Sequence, residues 1–145
     1  RLVENVPGLK LVFDTGNPVF TDDRSRDRPY PKQNSWEFYK HVREHIAYIH
    51  IKDGYIDQTT GQAVYTYPGE GHAEIPRILE DLLRRGYDGG ISIEPHMGTV
   101  FHDADAKHST DAEKIYIEYG RRMLKMLNAI RTQLDLPPFD QAKSG

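Results

Sequence analysis

Ile46-Ala47-Tyr48-Ile49-His50-Ile51-Lys52 decides the fold. Side chains in a β-strand alternate between two faces, so this run reads as a strand with Tyr48, His50 and Lys52 on one face and Ile49 and Ile51 on the other. One face is polar and carries an imidazole. The opposite face is apolar and suited to covering helices.

Two further runs share this construction. Leu9 to Asp14 (LKLVFD) is preceded by Pro7-Gly8 and ended by the turn cluster Thr15-Gly16-Asn17-Pro18. Gly90 to Glu94 (GISIE) puts Ile91 and Ile93 on one face and Ser92 and Glu94 on the other. Each run closes on a chemically active group, Asp14, His50 and Glu94, at intervals of 36 and 44 residues. Such intervals suit a strand, a helix and their loops, since a βαβ unit takes roughly 30 residues or more. Parallel strands end on one side of their sheet, and in (β/α)8 enzymes the chemistry gathers there. Two carboxylates and an imidazole meeting at that edge make a divalent-metal site.

The segments between the strands read as crossovers. Ser35 is placed to cap a helix running from Trp36 toward Glu44. Ile75, Ile78, Leu79, Leu82 and Leu83 fall at helical spacing, with Pro76 in the first turn and Gly86 as the stop. Thr110 and Glu113 form a capping-box pattern for a last helix over about residues 111–130, with an apolar stripe of Ile115, Tyr116, Tyr119, Met123, Met126, Leu127 and Ile130. Gly54 to Gly71 is too weakly periodic for a helix and reads as a loop above the site with a small hairpin inside it. The tail after Pro137-Pro138 is expected to be irregular. Strands near 9–14, 46–52 and 90–94 thus give an α/β chain, residues 1–145, with the order β-α-β-α-β-α. Three units of a fold that closes with eight imply an incomplete TIM barrel in this chain.

Bulk properties narrow the function class. The chain has 145 residues, a net charge of −3 and no cysteine. An acidic balance disfavours nucleic acid, and the lack of an apolar run of roughly 20 residues disfavours a membrane partner. Without cysteine there are no disulfides or thiolate metal sites, which suits a reducing compartment, and the cytoplasm is the expected location.

The segments LVFDTGN (Leu11 to Asn17), YIHIKD (Tyr48 to Asp53), YPGEG (Tyr67 to Gly71) and GYDGGISIEPH (Gly86 to His96) resemble the last three βα units of the xylose-isomerase-like TIM barrels. The resemblance covers about residues 9–130. It implies one divalent ion (Mn, Mg, Co or Zn) held by a Glu, an Asp, a His and a second Glu on successive strands. Asp14, His50 and Glu94 match the last three by position, and the first Glu would lie upstream of Arg1. It further implies a sugar or sugar-phosphate isomerase or epimerase working by proton transfer through an enediolate, with Glu94 as one half of the acid/base pair. Asn17, Lys52 and His96 are the corresponding substrate-binding candidates. Asn17 stands where many relatives have a His, a departure that counts against the zinc AP-endonuclease branch.

Plainer readings accompany each residue. Asp14 could cap the Thr15-Gly16-Asn17 turn, His50 could be a core histidine, and Lys52 could pair with Asp53 at the barrel mouth. Glu94 is hardest to explain without a partner, because an acid ending a buried strand is costly unless paired or metal-bound. Glu70 and His72 fit a structural turn, and Arg24, Arg26 and Arg28, interleaved with Asp22, Asp23 and Asp27, fit a solvated loop. Trp36 and Tyr39 fit packing on a helix, and His41, His45, His102 and His108 carry no pattern. Two rival functions share the fold: a non-catalytic module that binds a polyol or completes another subunit's barrel, and a metal-dependent dehydratase or hydrolase. With one ligand and half the acid/base pair outside the chain, turnover is expected of the complete barrel. Three strands with unpaired edges imply self-association or a missing N-terminal portion.

Overall fold

A computed structural model describes residues 2–97 and 109–139, without the side chains of Leu2 and residues 109–111. In chain order the elements are α1 (Leu2–Asn5), β1 (Leu11–Asp14), α2 (Asn17–Phe20), α3 (Ser35–Val42), β2 (Ile46–Ile51), β3 (Asp53–Ile56), β4 (Ala63–Thr66), α4 (Ile75–Arg84), β5 (Gly90–Ile93) and α5 (Ser109–Gln133). A 3-10 turn over Arg43–His45 joins α3 to β2. β1, β2 and β5 form a parallel sheet in that order, and β3 pairs antiparallel with β4.

The alternation of the strands sets the two faces of the sheet. Val12 lies beside Tyr48, Phe13 beside Ile49 and Asp14 beside His50, while Ile49, His50 and Ile51 lie beside Ile91, Ser92 and Ile93. Phe13, Ile49 and Ile51 are buried, whereas Val12 is 62% exposed and Tyr48 38%. The buried face packs on Tyr39 of α3, on Ile75, Ile78, Leu79 and Leu82 of α4, and on Tyr119, Met123, Leu127 and Ile130 of α5. Each fully buried Ile or Leu contributes about 1.5–3 kcal/mol of transfer free energy. Among the described residues, β1 and β5 are the edges of the sheet.

Several local expectations shift. The strand expected over 9–14 begins at Leu11, because Leu9 N donates to Val6 O and closes a turn instead. The cap of α3 is Asn34, whose Oδ1 accepts from Glu37 N at 2.9 Å, rather than Ser35. Ser35 is the first residue of the helix, and its buried hydroxyl donates to Thr15 O at 2.7 Å, tying the helix to the end of β1. The helix ends at Val42 rather than Glu44. Tyr116 is 41% exposed and leaves the expected stripe of α5, since the buried seam follows the helical row from Tyr119 through Met123 and Leu127 to Ile130. α5 starts one residue before Thr110, whose proposed capping side chain lies outside the described residues, as do His102, His108 and the tail beyond Phe139.

The loop above the sheet contains the hairpin. Asp57 Oδ1 accepts from Thr59 N and Thr60 N, both at 2.8 Å, and closes the turn between β3 and β4. α4 and α3 are joined across the core by Asp81, which accepts from the Tyr39 hydroxyl at 2.7 Å and from Arg43 at 3.2 Å. Burial and the Asp81 hydrogen bond push the Tyr39 hydroxyl well above its ordinary pKa. No helix among the described residues is long and apolar enough to cross a membrane.

Candidate metal centre

Parallel pairing brings the chemistry to one edge. Asp14 ends β1 directly beside His50, and Glu94 follows β5 with its backbone N–H donating to Ile51 O at 2.9 Å, so the ladder runs one residue past the strand. Asp14, His50 and Glu94 each present a ligand atom within 4.8 Å of the others. Donors at roughly 2.0–2.6 Å from a shared ion can be no more than about 5 Å apart. Two carboxylates and one imidazole suit a hard or borderline divalent cation. The donor set and its spacing therefore fit a divalent ion, and although the Asp14 side chain is nearly buried, those of His50 and Glu94 are partly exposed, which leaves a path for one to enter.

Each ligand candidate is braced. Asp14 Oδ1 accepts from Gly16 N at 2.9 Å and from Asn17 N at 2.8 Å. The turn-capping reading of Asp14 thus holds for one of its oxygens. The other, Oδ2, lies 2.7 Å from the Lys52 ammonium. His50 Nδ1 lies 3.1 Å from Glu94 Oε2, the separation of a hydrogen bond in which Nδ1–H donates to the ionised carboxylate. His96 Nε2 lies 2.9 Å from Glu94 Oε1. Burial raises the Glu94 pKa, but the His96 hydrogen bond and the charge of Lys52 outweigh it and hold the carboxyl below its ordinary range.

Lys52 sits beneath this cluster, its side chain 8% exposed. Its ammonium also lies 3.8 Å from Glu94 Oε1. Its backbone is clamped by Thr15, whose hydroxyl donates to Lys52 O at 2.7 Å and accepts from Lys52 N at 3.0 Å. The pairing weighed between Lys52 and Asp53 does not form. Asp53, 1% exposed, uses its carboxylate on the backbone instead, accepting from Gly54 N, Ala73 N, Gly69 N and Gly71 N at 2.7–3.1 Å. This clamp holds the Gly69–Ala73 loop against the start of β3. Gly71 must lack a side chain there, because a Cβ would lie 2.3 Å from Asp53 Oδ1 and 2.4 Å from Gly54 N.

The remaining sequence candidates spread around the cluster. Asn17 is exposed at the start of α2 and, with Asp14, Val12 and Phe38, lines a cavity of about 320 Å3. His96 packs on the ring of Tyr65 from β4, centroids 5.0 Å apart, and Tyr65 packs at the same separation on Phe20 of α2. Glu70 pairs with Arg122 of α5 rather than with the site, and His72 packs on Tyr55 of the hairpin. Arg24, Arg26 and Arg28 are exposed, with Arg26 paired to Asp23 and Arg28 over the Tyr30 ring. Trp36 packs on Tyr39 under the Arg77 guanidinium. The residues that sequence reasoning missed are Thr15, Asp53 as a loop clamp, and Tyr65. Only Tyr65 left a signal, as the aromatic position of an alternating Ala-Val-Tyr-Thr run.

Comparison with known proteins agrees with this architecture. No curated protein and no solved structure gives a significant match to the chain. A family model described as "Xylose isomerase-like TIM barrel" matches residues 1–124, and with its parallel strands and covering helices the chain belongs to that family.

Proposed function

We propose that the chain is part of a divalent-metal-dependent sugar or sugar-phosphate isomerase or epimerase, in which β1, β2 and β5 are the last three strands of the barrel. The observation that carries the reading is the convergence of Asp14, His50 and Glu94 within 4.8 Å at the carboxyl ends of adjacent parallel strands. Asp14 Oδ2, His50 and Glu94 would hold a single Mn, Mg, Co or Zn ion, with the other positions left to water, substrate oxygens or a further carboxylate. A bound ion would polarise a substrate carbonyl or hydroxyl and stabilise negative charge on its oxygen.

The protein's own groups do the proton work. Glu94, held ionised at neutral pH, is in the form that takes the proton from the carbon beside the carbonyl, giving an enediolate on the substrate, and returns it to the neighbouring carbon in an isomerisation, whereas in an epimerisation the other member of the acid/base pair delivers a proton to the opposite face. His96 fixes the orientation of that carboxylate through its 2.9 Å contact. Asn17 borders the cavity beside Asp14, where its amide would bond a sugar hydroxyl, and the Lys52 ammonium would face substrate oxygens from below.

The test is isotopic. In the complete barrel, supplied with a panel of ketoses, aldoses and their phosphates in deuterated water, Glu94→Gln keeps the fold and abolishes solvent exchange of the substrate α-proton, and chelation of the metal does the same to the unaltered protein. Exchange that survives both would overturn the reading. A dehydratase or hydrolase of the same family would instead release or add water across the panel.

A further inference from the structure

We infer that the Lys52 ammonium is the site's own counter-cation, competing with a divalent ion for Asp14 Oδ2 and thereby setting the affinity of the site for metal. The inference rests on the metal reading above. Asp14 has two oxygens, and one is committed: Oδ1 accepts from Gly16 N at 2.9 Å and Asn17 N at 2.8 Å, contacts that hold the turn after β1. The oxygen left for an ion is Oδ2, and Lys52 Nζ already lies 2.7 Å from it. Glu94 repeats the conflict, because its Oε1 lies 3.8 Å from the same ammonium. A divalent ion within coordination distance of both carboxylates therefore meets a positive charge only a few ångströms away unless the Lys52 side chain moves off Asp14.

Two further features make this competition strong. The ammonium and Asp14 side chains are 8% and 10% exposed, so water screens their charges poorly. The Lys52 backbone cannot retreat, because the Thr15 hydroxyl both donates to its carbonyl and accepts from its N–H. Only the side chain can turn aside. In the metal-free protein the same ammonium neutralises the paired carboxylates, which would otherwise repel each other. Lys52 is thus a positioning residue that stabilises the empty arrangement at the expense of metal affinity.

The experiment titrates Mn2+ into the full chain by isothermal calorimetry and by the loss of free-ion electron resonance, alongside Lys52→Met, Lys52→Gln and a control, Lys40→Met, on the exposed face of α3. Both Lys52 variants are expected to bind at least about tenfold more tightly than the unaltered chain, and their melting temperatures to gain more from Mn2+, while Lys40→Met matches the parent. Equal affinity in parent and Lys52 variants overturns the inference and leaves the metal reading standing. No Mn2+ binding by the parent or by either Lys52 variant overturns both. Should neither variant fold, a structure of the parent with Mn2+ decides: the inference requires the Lys52 ammonium turned off Asp14, and an ion bound with the 2.7 Å pair intact overturns it.

Discussion

Asp53 offers the sharpest test of how this site is held. Its carboxylate is 1% exposed and accepts four backbone N–H groups, from Gly54 at 2.8 Å, Ala73 at 3.0 Å, Gly69 at 2.7 Å and Gly71 at 3.1 Å. Asp53→Asn keeps size and shape but turns one acceptor oxygen into an NH2 donor, which then faces two N–H donors. Two hydrogen bonds to a charged group are lost, each worth about 1.5–3 kcal/mol. Relief of the desolvation of the charge returns part of that, so a net loss of about 3 kcal/mol is expected. A chain of this size loses roughly 2–4 °C of Tm per kcal/mol, giving a drop near 10 °C. Asp53→Ala strips all four amides and should cost more than Asn. Denaturant unfolding measures the loss, and hydrogen exchange locates it, with the amides of Gly69, Gly71 and Ala73 losing protection first. A change under about 0.5 kcal/mol, within the scatter of ordinary surface substitutions, would refute the clamp.

Three other perturbations have defined outcomes. Tyr39→Phe removes the 2.7 Å hydrogen bond to Asp81 and should cost about 1.5–3 kcal/mol at neutral pH; because the folded pKa is raised, the advantage of the parent is complete below the ordinary value near 10 and fades as pH rises above it, which urea unfolding at stepped pH would show. Glu94 has its pKa lowered on folding, so in metal-free buffer its stabilisation is present above the ordinary value of 4.5 and is lost as pH falls through the folded one; Glu94→Gln should therefore flatten the acid limb of a stability-versus-pH curve, and an unchanged limb would show that Glu94 gains nothing from His96 and Lys52. Ile49→Ala opens a cavity at a fully buried position between the sheet and its helices and should cost about 2–5 kcal/mol by chemical denaturation, whereas Val12→Ala on the exposed face should cost under about 1 kcal/mol.

What the sequence disclosed and what it hid divide along a physical line. The β2 run and α4 were legible because period-two and helical spacing are properties of the chain itself, and the structure buries Ile49, Ile51, Ile75, Ile78, Leu79 and Leu82 as that spacing requires. The identity of the α3 cap was not, because Asn34 and Ser35 are both good capping residues and the choice depends on a distant partner, Thr15 O, taking the Ser35 hydroxyl. Tyr116 misled for a related reason. Its spacing places it beside the apolar row of α5, but exposure is decided by what the neighbouring elements cover, and no pattern within the helix reports that.

The site shows the same division at the level of single atoms. Parity alone placed Asp14, His50 and Glu94 on one face, and parallel register then brings their ligand atoms within 4.8 Å. Parity also put Lys52 on that face, yet it could not say which acid the ammonium would choose. Lys52 lies between the end of β2 and the start of β3, and its ammonium reaches across to Asp14 at the end of β1 while the Asp53 carboxylate turns to the backbone of the Gly69–Ala73 loop. Asp53, freed from the ammonium, becomes the anchor of a loop that no sequence period describes. Consequently the positions of the candidate ligands follow from local alternation, while the charges beside them follow from long-range contacts. Asp14 is where the two meet, with one oxygen holding its own turn and the other left to a cation.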